Sequence, residues 1–412
     1  MDRFFEAATI SCPYPFYAEL HEHDPVHRLE DEDGDHPVYL VTRYEDCLDV
    51  LSRSEVFSNK AGPGLRQKEL MGPGRSGAAA GAGSSYRVVR TLLTNDAPSH
   101  TRFRKLVAKA FSARRINALE PAIRAVAHDL VDGFADSGEI DFVTDFAQPL
   151  PLVVIADFLG VPRRDLKQFR RWSDDAAEVL GGQLTPERSR ECHESLGELL
   201  RYFAEQVELR RREPAEDFLT SLVDARIDDE TPLSTEEMLS LAYVTLVAGN
   251  ETTANMLASM MLLLLRNADQ LARVRADRSL IPAAVEEALR LEAPVQGSVR
   301  VTREDTEVNG CPVPAGSRVL IVAGAANRDA RVYDEPDRFD VDRADPRSHL
   351  TFGKGIHFCL GAALSRLEGA VALEVLLDRL NSVGIVEPFE PAYVDNAVLR
   401  GLRKLPLRVV RS

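Results

Sequence analysis

The chain has 412 residues, of which 65 are acidic and 50 are basic, so its formal net charge at pH 7 is −15. Hydrophobic residues make up 44% and charged residues 28%, a balance typical of globular proteins and not of disordered or fibrous ones. The acidic balance argues against nucleic acid or an anionic membrane as the main partner.

The sequence shows no sign of a membrane anchor or a disulfide framework. Its N-terminus lacks an apolar run long enough for a signal peptide. The apolar stretch Leu239–Leu265 contains Asn250, Glu251 and Asn255, and a carboxylate there would cost about 2.5–3.5 kcal/mol in a bilayer, so we predict a buried helix. The five cysteines form no CxxC motif, which argues against a structural zinc site. We expect a cytoplasmic protein.

Taken in chain order, most segments show apolar residues at helical spacing with charged faces between them. The predicted helices are Tyr44–Leu51, Ser99–Phe111, Arg115–Phe134, Asp165–Leu180 and Glu187–Arg212. The short strand-like segments form an early group, Val26–Leu29 and Pro37–Thr42, and a late group, Gly297–Thr302 and Ser317–Ala323. One sheet built from both groups would join distant parts of the chain. We therefore predict a single domain over residues 1–412 that is mainly α with a small β region.

The segment 61–95 has a different composition, because Ala61–Ser85 holds seven glycines and two prolines. Such a segment loses too much backbone entropy to form a helix or a strand on its own. A mobile surface insertion and a lid over a binding cavity both fit this composition. We predict a flexible loop over 61–95 that covers the substrate.

The longest predicted helix begins at Ser234, which has the capping-box spacing to Glu237, and continues to about Arg266. At 1.5 Å per residue it would be about 48 Å long. Because it is apolar on most faces, we expect it in the core. Its middle, Ala248–Thr253, reads AGNETT and is polar, which requires partners for the buried polar groups.

The strongest local pattern is Phe352–Gly361, FGKGIHFCLG, which precedes an apolar-periodic helix that runs to about Leu380. Gly353 and Gly355 permit a tight loop with positive φ. Cys359 then lies at the start of the helix, where free backbone N–H groups and the helix dipole favour a thiolate. Three alternatives fit such a cysteine by itself: an axial ligand of haem iron, a catalytic nucleophile and a buried structural residue.

The whole segment resembles the haem-ligand signature F-x-x-G-x-H-x-C-x-G of the cytochrome P450 monooxygenases at every fixed position. The other family motifs occur in order, as Ala248–Thr252, Glu287–Arg290 for E-x-x-R and Pro336–Phe339 for the later element. The resemblance covers essentially the whole chain and implies the soluble bacterial type, with the cytochrome P450 fold around a buried b-type haem (iron protoporphyrin IX). It implies insertion of one oxygen atom of O2 into a lipophilic molecule, by hydroxylation or epoxidation. Steroids, terpenoids, fatty acids and polyketide-like compounds remain equal candidates.

The resemblance also implies roles for particular residues. It makes Cys359 the iron ligand. The expected haem contacts are His100, Arg104, Ala248, Gly249, Arg300, Phe352, His357 and Gly361, of which His100, Arg104, Arg300 and His357 would hold the propionates. Glu287 and Arg290 lie three residues apart on one helix face and are expected to form a structural ion pair, which the resemblance completes with Arg338.

Glu251 and Thr252 are the expected proton-delivery pair. The Thr252 hydroxyl is able to donate back to the carbonyl of Ala248 and open the helix locally. Gly249 would leave space for a flat macrocycle and O2. A carboxylate and a hydroxyl together relay through water the protons that O–O cleavage requires, and the thiolate favours the same cleavage.

The substrate is expected against the lid, the long helix and the segment after Arg290, with candidate contacts Leu92, Leu93, Val244, Val295, Val299 and Val398. A separate ferredoxin and ferredoxin reductase would supply electrons, because only 53 residues follow Cys359 and no dinucleotide fingerprint occurs. Arg102–Arg115 carries six basic residues and no acid, and we predict that it docks the ferredoxin with help from Lys354 and Arg366.

Two other functions stay open from the residues. A peroxide-driven haem-thiolate peroxygenase would need no electron donor, and a non-catalytic haem-binding sensor would need neither a proton relay nor a docking surface.

Overall fold

The computed structural model describes residues 2–29, 37–61, 86–181, 184–226 and 232–411. Helices account for most of these residues and the strands are short, which confirms the predicted fold class. Residues 62–85, most of the predicted lid, lie outside the described residues. The lid therefore stays a prediction.

The α-helices of the described residues are α1 Ala7–Ser11, α2 Tyr14–His23, α3 Tyr44–Ser52, α4 Ser99–Ala108, α5 Ala113–Asn117, α6 Glu120–Phe134, α7 Pro149–Leu159, α8 Leu166–Gly181, α9 Pro186–Arg212, α10 Phe218–Val223, α11 Thr235–Arg266, α12 Ala268–Ala276, α13 Ile281–Leu291, α14 Ala323–Ala326 and α15 Ala362–Arg379. The strands are β1 Val26–Leu29, β2 Val38–Val41, β3 Phe57–Ser58, β4 Glu139–Asp141, β5 Ser298–Thr302, β6 Thr306–Val308, β7 Cys311–Val313, β8 Arg318–Ile321, β9 Leu380–Ile385 and β10 Pro406–Arg411.

Two predicted elements differ from the structure. The helix predicted over Arg115–Phe134 is two helices, because α5 ends at Asn117 and α6 begins at Glu120. Pro121 lies in the first turn of α6, where a missing N–H is harmless, whereas inside a continuous helix it would remove a hydrogen bond. The helix predicted over Ser99–Phe111 already ends at Ala108.

The early and late strands do share one sheet, as predicted. Its strand order is β1-β2-β8-β5-β3. Strand β2 runs parallel to β8, with Tyr39 opposite Val319, and β8 pairs antiparallel with β5. Two smaller sheets have the orders β4-β10-β9 and β6-β7.

Helix α11 is capped as its sequence predicts. The backbone N–H of Ser234 donates to Glu237 at 2.7 Å, and the N–H of Glu237 donates to the Ser234 hydroxyl at 3.2 Å. Most side chains of α11 are buried, which accounts for its apolar faces. Within the part of the chain that the structure describes, no helix combines the length and hydropathy of a membrane span.

The residues cluster into two compact units. The first unit comprises Met1–Phe57, Ile116–Pro151 and Glu251–Ser412, and the second comprises Ser58–Arg115 and Leu152–Asn250. In the first unit, helix α15 packs against α6 and α13. In the second unit, α8 packs against α9, and the rings of Phe111, Phe158 and Phe218 form a cluster. The single domain predicted for the whole chain stays a prediction.

Candidate functional site

The loop before α15 holds Cys359 in a defined backbone geometry in the first unit. The Cys359 N–H donates to the carbonyl of Phe352 at 2.8 Å, which closes the loop on itself. Gly353 and Gly355 adopt φ values of +69° and +68°, a region that favours glycine. A Cβ on Gly355 would also lie 3.3 Å from the carbonyl oxygen of Leu51, so the loop passes close to the end of α3.

The side chain of Cys359 is exposed at the surface of this unit. Ile356 and Phe358, which precede it in the loop, are 42% and 38% exposed. Exposed apolar side chains beside a cysteine are unusual for a solvent-facing loop and typical of a surface that receives an apolar ligand.

The first residue of the loop, Phe352, is held by contacts with two side chains. The guanidinium of Arg366 lies 4.5 Å from the centre of its ring, and the His349 ring lies 5.8 Å from it. Both partners bond to the buried carboxylate of Glu286. Arg366 donates to its two oxygens at 2.6 and 3.0 Å, and the His349 Nε2 lies 2.9 Å from one of them. Burial alone would raise the pKa of Glu286, but the bonds from His349 and Arg366 outweigh it and lower the pKa to about 2.

Glu287 and Arg290 form the ion pair that their spacing predicts. The Arg290 Nε and Nη2 donate to the two Glu287 oxygens, each at 2.8 Å, and both side chains are 1% exposed. Arg290 also donates to the backbone carbonyls of Asn327, Pro336 and Arg338. The pair therefore fastens helix α13 to the loop that follows α14.

The prediction for Arg338 is wrong, because its side chain does not reach this pair. It bonds to Glu335 at 2.7 Å, and the two side chains are 54% and 71% exposed. Arg343 takes the predicted place, with its Nε 3.0 and 3.2 Å from the Glu287 oxygens. The backbone turns at Glu335, where φ is +45°, and the side chain of Arg338 points to solvent while its carbonyl accepts from Arg290 and Arg343.

Helix α11 has a row of partly exposed side chains, although most of its other side chains are buried. Val244, Ala248, Glu251 and Thr252 follow helical spacing along one face and are partly or largely exposed, whereas Leu241, Leu246 and Val247 are buried. The row contains both residues predicted to deliver protons. Whether they do so stays a prediction.

Gly249 has a packing role that the sequence did not indicate. A Cβ at this position would lie 2.9 Å from Cδ1 of Ile155 on α7, in the second unit. Helix–helix packing therefore explains the glycine by itself, and its predicted contact with haem stays a prediction. The neighbouring Asn250 donates to the Ser173 hydroxyl at 2.7 Å and so supplies one buried partner for the polar segment.

The residues predicted to hold the propionates are placed separately in the two units. In the first unit, Arg300 is 6% exposed and donates to the carbonyl of Val299 at 3.0 Å. In the second unit, His100 is 2% exposed, and Arg104 follows one turn later on α4. Burial and the positive charge of Arg104 lower the pKa of His100, so its ring is a neutral hydrogen-bond donor at pH 7.

The residues predicted to contact the substrate also lie partly in the first unit and partly in the second. In the first unit, the N–H of Gln296 donates to the carbonyl of Val398, and Val295 bridges to Leu399, so two of the predicted segments are neighbours. Val299 is buried in β5. In the second unit, Leu92 is partly buried and Leu93 is 54% exposed. Contact with substrate stays a prediction for all of them.

Some of the basic side chains that were predicted to dock the ferredoxin are already bonded to other residues of the protein. Arg102 pairs with Glu237 at 2.9 Å, and Arg115 donates to the Ser221 hydroxyl. Lys105, Lys109 and Arg114 remain exposed in the second unit, and we call these three the basic surface. In the first unit, Lys354 is exposed, whereas the side chain of Arg366 is only 22% exposed and bonds to Glu286.

Three features fit a haem. The first unit presents an exposed cysteine close in sequence to exposed apolar side chains, which suits a thiolate ligand of a haem. That unit also contains the buried guanidinium of Arg300, a suitable partner for a carboxylate. Taken by itself, the second unit contains His100 and Arg104, which are suitable partners of the same kind. Helix α11 offers its accessible row of small and polar residues.

Sequence reasoning missed Arg343, Glu286 and His349. A weak signal existed for Glu286, because a second acid beside Glu287 in an apolar helix requires compensation of its own buried charge. No spacing rule identified Arg343, since it acts from an irregular loop.

Comparison with known proteins agrees with this geometry. A family model described as Cytochrome P450 matches residues 33–383. The chain is 38% identical over 399 residues to 6-deoxyerythronolide B hydroxylase of Saccharopolyspora erythraea, with 96% of each chain covered. It is 40% identical over 397 residues to mycinamicin IV hydroxylase/epoxidase of Micromonospora griseorubida, covering 95% of this chain and 94% of that one. The solved structure of the bacillaene polyketide synthase cytochrome P450 PksS of Bacillus subtilis 168 matches with a TM-score of 0.87 at 32% identity, over 100% of both chains.

Proposed function

This chain belongs to the cytochrome P450 family and is a haem-thiolate monooxygenase, and from that premise we propose that it oxidises a polyketide-like lipophilic molecule. The observation that carries the substrate class is the similarity over nearly the full length to two enzymes whose names state such substrates. The predicted contacts Val244, Val295, Val299 and Val398 are all aliphatic, which supports a lipophilic ligand.

We assign the axial ligand to Cys359. When bound, the haem supplies the iron that activates O2 and transfers one oxygen atom to the substrate. The protein holds the sulfur by the short loop, whose Cys359 N–H is bonded to Phe352 and whose two glycines adopt positive φ. Replacing Cys359 by Ser should abolish the thiolate-type absorption of the CO complex, and a variant that keeps this absorption would refute the assignment.

We assign proton delivery to Glu251 and Thr252, which share the accessible row of α11. A carboxylate in water contact takes up protons from solvent, and an adjacent hydroxyl passes them on without changing its own charge. Replacing Thr252 by Ala should release peroxide and lower the fraction of NADH consumption that yields product. Replacing Thr253 by Ala is the matched control, because Thr253 is 2% exposed and lies off the row. Equal coupling in both variants would remove Thr252 from this role.

Bacterial P450s use ferredoxin and reductase partners, and we propose that a ferredoxin docks on the basic surface of Lys105, Lys109 and Arg114. Exposed cations attract an acidic partner and raise its association rate, and salt screens this attraction. A Lys105→Glu variant should be reduced several-fold more slowly by an acidic ferredoxin and show a weaker salt dependence. Lys167→Glu, also exposed in the second unit, controls for net charge. Identical rates for all three proteins would contradict the docking site.

A reducing cytoplasm fits the thiols, since the five cysteines, all within the described residues, form no disulfide. Turnover with peroxide alone tests the peroxygenase alternative. We expect it to be much slower than turnover with O2, NADH and the two electron-transfer proteins. Faster turnover with peroxide would favour that alternative.

The substrate class is tested by binding spectra of the haem-loaded protein against macrocyclic polyketides, steroids and long-chain fatty acids. We expect a polyketide to give the tightest binding spectrum and a product heavier by one oxygen, which carries the label from ¹⁸O2. Tight binding and oxidation of only a steroid or a fatty acid would overturn the proposed class and leave the monooxygenase reaction intact.

A further inference from the structure

Glu286 is a buried carboxylate whose charge is shared among three basic side chains of the first unit. It is 3% exposed, on helix α13. Arg366 donates to both of its oxygens at 2.6 and 3.0 Å, His349 lies at 2.9 Å and Arg347 at 3.2 Å. Glu286 is adjacent to Glu287 in sequence, but the two carboxylates bond to different basic side chains. The two ion-pair groups are therefore separate.

The His349 ring has a defined tautomer in this arrangement. Its Nδ1 accepts from the backbone N–H of Thr351 at 3.3 Å, so the proton of the neutral ring is on Nε2, which faces Glu286. The Thr351 hydroxyl donates to the carbonyl of Leu289 on α13 at 2.7 Å. The chain that leads into the cysteine loop is therefore held to α13 at two consecutive points.

Arg366 and His349 both contact the Phe352 ring, and the Phe352 backbone is hydrogen-bonded to Cys359. The Arg366 guanidinium lies 4.5 Å from the ring centre, within the range of a cation–π contact. The Phe352 carbonyl accepts the Cys359 N–H at 2.8 Å. A continuous path of contacts thus joins the Glu286 carboxylate to the backbone of the residue that carries the sulfur.

We propose that Glu286 is a positioning residue for the Cys359 loop, and that it acts by holding Arg366 and His349 against the Phe352 ring. Arg366 is then a structural member of the loop support and not a freely available charge for a redox partner. Without Glu286, the long Arg366 side chain would gain rotamer freedom and its guanidinium would leave the Phe352 ring. The carboxylate accepts two hydrogen bonds from this guanidinium and so fixes its plane.

The test uses the haem-loaded Glu286→Gln and Arg366→Gln variants. Three quantities are measured: the fraction of the CO complex with thiolate-type absorption, the midpoint potential of the haem, and the exchange rate of the Cys359 amide hydrogen. A loosened loop weakens donation by the thiolate. Both variants should therefore lower the thiolate fraction, raise the midpoint potential, and speed amide exchange by about tenfold or more.

Arg366→Gln separates positioning from simple electrostatics. Removing a positive charge near the haem disfavours the added electron and would by itself lower the midpoint potential, whereas a loosened loop raises it. A lower potential with an unchanged thiolate fraction in Arg366→Gln would overturn the proposal. This variant also decides the matter if Glu286→Gln does not fold, because the Arg366 side chain is partly exposed and easier to replace.

Glu292→Gln is the matched control. Glu292 is another largely buried carboxylate of the first unit, bonded to Arg400 at 2.6 Å and near Arg328 at 3.6 Å, and within the described residues these partners lie outside the cysteine loop. We expect a similar loss of stability with the thiolate fraction, the potential and the amide exchange unchanged. If Glu292→Gln shifts these three quantities as much as Glu286→Gln does, Glu286 is only a stabilising residue and the proposal fails.

Discussion

Arg343 donates its Nε to both carboxylate oxygens of Glu287, at 3.0 and 3.2 Å. The two residues lie 56 positions apart, and the Glu287 side chain is 1% exposed. With Arg290 on its other side, Glu287 is enclosed by two guanidinium groups, so its charge is compensated where water is excluded.

Arg343→Ala should therefore destabilise the protein far more than Arg338→Ala. Removing one partner of a buried carboxylate costs about 3 kcal/mol or more, whereas an exposed pair such as Arg338 and Glu335 contributes about 0–1 kcal/mol. Urea unfolding of the two variants measures the difference directly. Equal losses in the free energy of unfolding would show that the buried ion pair stabilises the protein no more than the exposed pair does.

Stability should depend on the charge of Glu286 at acidic pH. Its pKa is lowered from 4.5 to about 2, so the charged form stabilises the fold above pH 4.5 and this contribution disappears as the pH falls towards 2. The full contribution is at most about 3 kcal/mol. The difference in free energy of unfolding between wild type and Glu286→Gln should shrink across that window, and a constant difference would contradict the lowered pKa.

Gly160 should tolerate alanine much less well than Gly138, although both have positive φ, at +87° and +76°. A Cβ on Gly160 would lie 2.1 Å from Oδ2 of Asp217, which bonds to Arg210 at 2.5 Å, whereas a Cβ on Gly138 meets nothing within 4 Å. Gly138→Ala should cost about 1 kcal/mol through backbone strain alone. Gly160→Ala should cost at least about 1 kcal/mol more, because it also displaces a buried ion pair. Thermal unfolding of both variants checks this order.

Gly249→Ala tests why this position lacks a side chain. The new methyl group would press on Ile155 Cδ1, so we expect a destabilisation of about 1–3 kcal/mol through overpacking. Ile155→Val removes the contacting methyl group and should restore part of the lost stability in the double variant. If stability is restored but haem affinity stays low, the glycine is needed for the haem contact as well.

Local patterns predicted most of the secondary structure. Val26–Leu29 is a strand over the predicted residues, and α9 begins at Pro186, one residue before the predicted start. Ser234 and Glu237 cap α11 because a capping box depends only on residues three positions apart. The errors fall at helix ends such as Ala108, where packing of the last turn decides how far a helix continues.

By itself, the sequence determined the elements whose physics is local: the glycine-rich turn before Cys359, the helices set by their apolar spacing, and the pairing of Glu287 with Arg290 one helical turn away. The tertiary structure alone decided which distant side chains complete these elements. Arg343 reaches Glu287 from an irregular loop, and Arg366 reaches Glu286 across 80 positions. Such contacts depend on the path of the backbone between elements, and no periodicity in the chain encodes that path.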